Sequence, residues 1–304
     1  MTTSGSAGAR LRELLKRGPV AAPGAFNGLV GKAVAAAGFD AAYVSGGALS
    51  AAAGVPDVGV LSLDHFARVI REVALASGLP LIADADTGFG EEEMVRRTVV
   101  TYAHAGAAAL HIEDQVFPKR CGHLDGKTLL PVEQAADKVA WARRAARDFG
   151  DGAFLICART DAAGVDGLDA AVERAKAYVE AGAEMIFPEG LKSEADFGRF
   201  AEAMKKPVAG APGLKGRGPY LLANMTEFGK TPMVPLERFG ELGYDVVIYP
   251  VSTLRLTLGA IVPALKELRE TGTLEGQLGN MQDRDGLYAM LGYTPGTAWE
   301  APAR

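Results

Sequence analysis

The stretch HIEDQVFPKRCGHLDGK, His111 to Lys127, begins as an apolar run with acids at its end and passes into a polar loop. Cys121 sits in that loop beside Lys119, Arg120, Gly122 and His123. Cationic neighbours lower a thiol's pKa and fit it to act as nucleophile or proton donor. The plainer alternative is an incidental surface thiol. The only other cysteine, Cys157, lies in FLICART and reads as a small buried hydrophobe. A structural zinc site wants four soft ligands, which Cys121 and His123 do not supply. Upstream, LPLIADADTGFG carries Asp84 and Asp86. In a regular strand they point to opposite sides, but in a Gly-rich turn at the strand end both can swing toward one cation. With Glu113 and Asp57 they offer hard oxygen ligands, which suit Mg²⁺. The competing reading makes Asp86-Thr87 the cap of a helix from Glu91. A phosphatase-type DxDx(T/V) motif fails at Gly88, and the two GKT triplets lack the earlier glycine of a P-loop, having Cys121 and Asn224 there. A thiol beside a cation and several arginines calls for a polyanion, a di- or tricarboxylate, because guanidinium forks bind carboxylates bidentately.

Something must bring these residues together. Eight short apolar runs alternate with amphipathic ones: Pro19–Gly24, Ala41–Gly47, Pro80–Asp86, Ala108–Asp114, Ala153–Asp161, Glu184–Gly190, Tyr220–Thr226 and Asp245–Ser252. None alternates strictly, as expected of parallel strands buried on both faces. Helical patterns such as LDAAVERAKAYVEAGA lie between them, and Gly38, Gly106 and Gly182 stand where a helix C-cap is needed. Eight β-then-α units predict an α/β fold, a (β/α)8 TIM-type barrel. A doubly wound sheet is the alternative, but PGAFNGLVG does not match GxGxxG. Every run ends in polar residues: Ser45-Gly46-Gly47, Asp84 and Asp86, Glu113 and Asp114, Arg159 and Asp161, Glu189, Asn224 and Thr226, and Ser252 with Arg255 beyond. In a barrel these ends converge on the catalytic face. One departure, GAPGLKGRGPY from Gly210, precedes the seventh run. If Tyr220–Thr226 is the strand, that segment belongs to the opposite face; if Pro207–Pro212 is, it reaches the site.

The chain has 304 residues and a net charge of -5. It carries no basic run and no interleaving of aromatic and basic residues, so nothing argues for nucleic acid. No apolar run approaches the roughly 18 residues of a membrane span. The N-terminus lacks an apolar signal core, and few cysteines suit the cytoplasm. No internal boundary stands out, so residues 1–304 are expected to form one barrel domain, with a C-terminal helical extension over about 272–304.

At this point YVSGG, LPLIADADTGFG, AGAAALHIEDQVFPKRCGH, ARTDA, GLDAAVERAKAYVEAGAEMIFPE and LANMTEFG together resemble the isocitrate lyase and 2-methylisocitrate lyase family, in order and spacing, from the first strand to MQDRDGLY. The resemblance implies Mg²⁺-dependent cleavage of a carbon–carbon bond, 2-methylisocitrate giving pyruvate and succinate in propionate catabolism. Isocitrate cleavage, oxaloacetate hydrolysis and phosphoenolpyruvate mutase chemistry are the superfamily's alternatives, and the last two lack a KRCGH loop. A non-catalytic carboxylate-binding barrel would need the arginines but neither metal nor thiol. The resemblance implies that Ser45, Gly46 and Gly47 bind the keto-acid half. Asp84 and Asp86 hold the metal, with Asp57 and Glu113 reaching it directly or through water. Cys121 is the catalytic thiol beside Gly122 and His123. Arg159, Glu189, Asn224, Thr226, Arg255 and Arg284 complete the substrate site. Tyr43 is one candidate for the base. Phe187 and Pro250 stand where 2-methylisocitrate lyases make room for the extra methyl. A homotetramer that exchanges a terminal helix between subunits is implied as well.

Overall fold

The computed structural model of the chain describes residues 5–122, 124–149, 152–208, 217–229 and 231–299. Eight parallel strands form one sheet: β1 (Val20–Pro23), β2 (Ala42–Val44), β3 (Leu81–Asp84), β4 (Ala107–Glu113), β5 (Leu155–Thr160), β6 (Met185–Pro188), β7 (Tyr220–Asn224) and β8 (Val246–Tyr249). Each falls on the apolar run that predicts it, β4 starting at Ala107 rather than Ala108. From β2 to β8 each strand pairs with the next, and β8 pairs with β1. The ring closes where the Ala25 N–H donates to the Tyr43 carbonyl at 2.8 Å. The fold is the expected (β/α)8 barrel.

Two cores hold it. The barrel interior packs Val20, Ile82, Leu155, Met185, Leu222 and Ile248 from six of the strands. Its floor is closed by α1 (Ala7–Leu14), whose Leu11 is wholly buried there. Arg12 of α1 forks onto Glu184, below β6, at 2.8 and 2.9 Å. The second core lies between the strands and an outer ring formed by α2 (Gly28–Ala36), α4 (Leu63–Ser77), α5 (Glu92–Ala105), α6 (Val132–Phe149), α7 (Leu168–Glu180), α8 (Glu194–Met204) and α9 (Leu236–Leu242), with α3 (Gly46–Ala52) a short helix on the catalytic rim. In α4, Leu63, Phe66, Val69, Ile70 and Val73 are buried at the i, i+3, i+4 spacing of an amphipathic helix. Gly38, Gly106 and Gly182 have φ of 85°, 100° and 115°, the left-handed turn expected of them.

β7 begins at Tyr220, which decides the register in question. Arg217 stacks on Tyr220 and reaches Asp245 at 3.3 Å, at the N-terminal ends of β7 and β8. It therefore lies on the face away from the strand ends. Lys215 and the rest of 209–216 lie outside the described residues.

The last outer helix behaves differently. In α10 (Ser252–Thr271) only Leu254 is buried, while Leu256, Ile261, Val262 and Leu265 are exposed. After a short 3₁₀ turn, α11 (Arg284–Leu291) packs against α2. No helix among the described residues is long and apolar enough to cross a membrane.

Candidate active site

The carboxylates converge because of three backbone features. β3 stops at Asp84, and Asp86 takes a left-handed φ of 44°. Its N–H donates to Asp84 Oδ1 at 3.0 Å, so both side chains leave on the same side. β2 then turns into α3 rather than running on as a strand: Ser45 caps that helix, accepting from the Ala48 N–H at 3.3 Å. The Gly46 N–H donates to Asp84 Oδ2 at 3.0 Å. A Cβ on Gly46 would lie 2.9 Å from Asp84 Oδ2 and 3.1 Å from Asp86 Oδ1, which is why this turn needs glycine. The cap expected of Asp86-Thr87 is not made; α5 starts from Glu91 without a side-chain cap bond.

Lys119 sits among these acids, against Asp57 and 2.8 Å from Asp86 Oδ1. Burial works against its charge, but Glu113, Asp86, Asp84 and Asp57 together raise its pKa. Burial, with the Asp84 charge, pushes Asp86 up to about 6. Asp84 is buried too, yet His111, Lys119, Arg159 and the Asp86 N–H outweigh that and hold it at about 2. Glu113 is buried, lies 3.2 Å from Arg159, and has no hydrogen bond to either oxygen; burial pushes its carboxyl well up. Among the described residues no three acids, histidines or thiols stand as a finished metal cluster. The donor set nevertheless fits a hard divalent cation. Two carboxylates converge on Gly46, a third buried carboxylate lacks hydrogen-bond donors, and Mg²⁺ takes one or two carboxylates and completes its shell with water.

Across from the acids stands the thiol loop. Its neck is closed by the Val116 N–H on the Thr128 carbonyl at 2.8 Å and by the Gln115 side chain, which bonds both backbone groups of Arg120 at 2.9 Å. Gly122 lies so close to Glu189 and Arg159 that a Cβ would run into both side chains. Arg159 is gripped by Asp161 at 2.9 and 3.1 Å. Asn224 donates to Glu189 at 3.2 and 3.4 Å. Of the cations that the sequence sets beside Cys121, Lys119 pairs with the carboxylates and Arg120 folds back over Gly126. His123 lies outside the described residues.

A cavity of about 140 Å³ joins the two sides, lined by Tyr43, Ser45, Gly47, Asp57, Asp84, Cys121, Gly122, Arg159, Phe187, Glu189, Asn224, Thr226, Pro250 and Arg255 among others. Most residues expected at the site are thus in one place, with Gly46, Asp86 and Glu113 directly beside them. Arg284 is the exception: it stands exposed at the start of α11, outside the cavity lining of its own chain. The floor is aromatic. The Tyr43 hydroxyl meets His111 Nε2 at 2.7 Å, and the Phe187 ring meets the His111 ring edge to face. Burial pushes His111 down to about 4. Burial and the Asp84 charge push the Tyr43 phenol well up. Arg255 lies over Phe228 and reaches Glu227, to which Ser252 also donates. His111 carries no signal of its own in the sequence, since it sits mid-run with no polar pattern, and Lys127 lies in a GKT triplet that lacks the glycine of a P-loop.

The family model for phosphoenolpyruvate phosphomutase matches residues 11–269. A probable 2-methylisocitrate lyase of Corynebacterium glutamicum is 48% identical over 89% of this chain and 84% of its own. The 2-methylisocitrate lyase of Aeropyrum pernix is 45% identical, over 93% and 86%. The chain belongs to the 2-methylisocitrate lyase family. It is a carbon–carbon lyase by that membership. Among solved structures, 2,3-dimethylmalate lyase superposes with a TM-score of 0.85 at 32% identity, covering 95% of this chain and 92% of that one. Phosphonopyruvate hydrolase, solved with oxalate and Mg²⁺, superposes with a TM-score of 0.81 at 29% identity, covering 95% of both chains.

Proposed function

We propose that this protein cleaves 2-methylisocitrate to pyruvate and succinate with Mg²⁺, in the cytoplasm, as a homotetramer. The observation that carries the reading is one cavity with a carboxylate cluster on one side and Cys121 on the other. Asp84 and Asp86, with Asp57 and Glu113 directly or through water, would hold the ion. When bound it supplies a positive charge that polarises the substrate oxygen and stabilises its developing charge. Lys119, which lies against Asp57 and Asp86, would then share those carboxylates or swing away.

The remaining chemistry belongs to side chains. Ser45, Gly46 and Gly47 present the start of α3 to the keto-acid half, where backbone N–H groups favour an anion. Arg159 and Arg255 take carboxylates of the substrate. Glu189, Asn224 and Thr226 set its orientation. For the bond to break, the substrate hydroxyl gives its proton to a base and its oxygen becomes the carbonyl of pyruvate, while the succinate fragment carries away the electron pair and needs a proton. Cys121, with Gly122 and His123 beside it, delivers that proton as a general acid. Tyr43, with its pKa raised, keeps its proton at neutral pH. It is therefore better suited to donate a hydrogen bond to the substrate than to act as the base. Phe187 and Pro250 bound the space for the methyl group.

The test is direct. Purified protein is given 2-methylisocitrate, isocitrate and oxaloacetate in parallel, with and without Mg²⁺, and keto-acid release is followed. Pyruvate release, greatest on 2-methylisocitrate and abolished by chelator, is expected. A preference for isocitrate or oxaloacetate, or full turnover in excess chelator, would overturn the reading.

A further inference from the structure

Lys127 is buried, yet the reaction as described makes no use of it. Its ammonium donates to the Gly122 carbonyl and to Asp161 Oδ1, the latter at 2.9 Å. Asp161 in turn grips Arg159 at 2.9 and 3.1 Å, and its own N–H is held by Asp114 Oδ1 at 2.9 Å. Lysine is almost never fully buried unless it is paired, because desolvating an ammonium is costly. Here both partners matter. One is the backbone next to the thiol; the other anchors the arginine against which Gly122 packs. The hydrogen bonds at the neck fix where the loop begins and ends, whereas the Lys127 contact reaches its tip.

We propose that Lys127 is a positioning residue that ties the tip of the Cys121 loop to the Arg159–Asp161 pair, and so holds the thiol against the substrate cavity. For turnover this rests on the lyase reading; for thiol mobility it does not. Lys127→Met should fold and show the wild-type thermal shift with Mg²⁺, since the ammonium touches none of Asp57, Asp84, Asp86 and Glu113. Its kcat on 2-methylisocitrate should fall about 10²-fold, the usual effect of misplacing a reacting group by about an ångström, while KM changes little. Cys121 should be alkylated by iodoacetamide faster than in the wild type, with Cys121→Ser as the control for Cys157. Lys127→Gln, which keeps an N–H donor for Gly122 but no charge for Asp161, should show smaller changes of the same sign. Wild-type alkylation and kcat in Lys127→Met would overturn the proposal. If that variant does not fold, wild-type alkylation in Lys127→Gln would do so. If the wild-type enzyme does not cleave 2-methylisocitrate, alkylation alone decides the matter.

Discussion

At the scale of single residues, the two sides of the cavity make separable predictions. Cys121→Ser keeps the size of the side chain but replaces a thiol with a far weaker acid. Its kcat should drop by about 10²–10⁴, the range for losing one positioned acid, with substrate binding retained. Stopped turnover combined with undiminished binding in calorimetry is the expected pattern, and near-normal turnover would remove the acid role. On the other side, Asp86 is pushed up to about 6 while Asp84 stays at about 2. Because Asp86 is raised in the folded state, the metal-free fold binds this proton more tightly than the unfolded chain. The contribution is favourable at low pH and is lost as pH rises through about 6. A cation ligated by Asp86 must displace that proton. The stabilisation that Mg²⁺ adds in thermal melts should therefore be small at pH 5 and grow through about 6. Equal Mg²⁺ shifts on both sides of that value would exclude Asp86 from the ligand set. Phe187→Trp tests the methyl pocket. Phe187 is buried with Arg159 stacked over its ring, so a larger indole must intrude on the cavity. One methyl is worth about 1–3 kcal/mol in such a pocket, so the preference between 2-methylisocitrate and isocitrate should shift by roughly 10–200-fold.

At the scale of elements, the turn between β2 and α3 does what no single residue can. Gly46 admits the two carboxylates because it has no Cβ. Gly46→Ala should cost little stability, since the atoms it meets are side-chain ends that can swing aside. It should cost most of the Mg²⁺ affinity, because those ends are the proposed ligands. Calorimetric titration beside a thermal melt separates the two effects; unaltered Mg²⁺ affinity would show that the carboxylates do not have to converge there. The strand ends were legible in the sequence because runs such as PLIADAD and FLICARTD change from apolar to polar within one residue. The start of α3 was not. SGG followed by alanines carries a serine cap but no amphipathic spacing to announce a helix, and only the folded chain, with the Gly46 N–H on Asp84, reveals one.

At the scale of the whole molecule, α10 exposes Leu256, Ile261, Val262 and Leu265, an apolar face that a barrel helix would ordinarily bury on its own strands. We propose that this helix is exchanged between subunits, which would cover that face in the proposed tetramer and would give Arg284 a route to a neighbour's site. Val262→Glu puts a charge on the face. It should shift the sedimenting species toward smaller assemblies while the barrel stays folded by circular dichroism. An unchanged mass would argue that α10 is not the contact. The sequence by itself determined the barrel, because eight apolar runs separated by amphipathic ones leave few other ways to bury both strand faces. It also determined which residues are available for chemistry, because strand ends must be polar where they meet solvent and substrate. Only the tertiary structure decided how those residues meet. Lys119 joins the carboxylates, His111 lies under Tyr43, and Lys127 reaches from one end of a loop to its tip. These are contacts between groups far apart in sequence or turned by local backbone. Periodicity tells which face a residue occupies, but a pairing across the barrel depends on the distances that the closed sheet imposes.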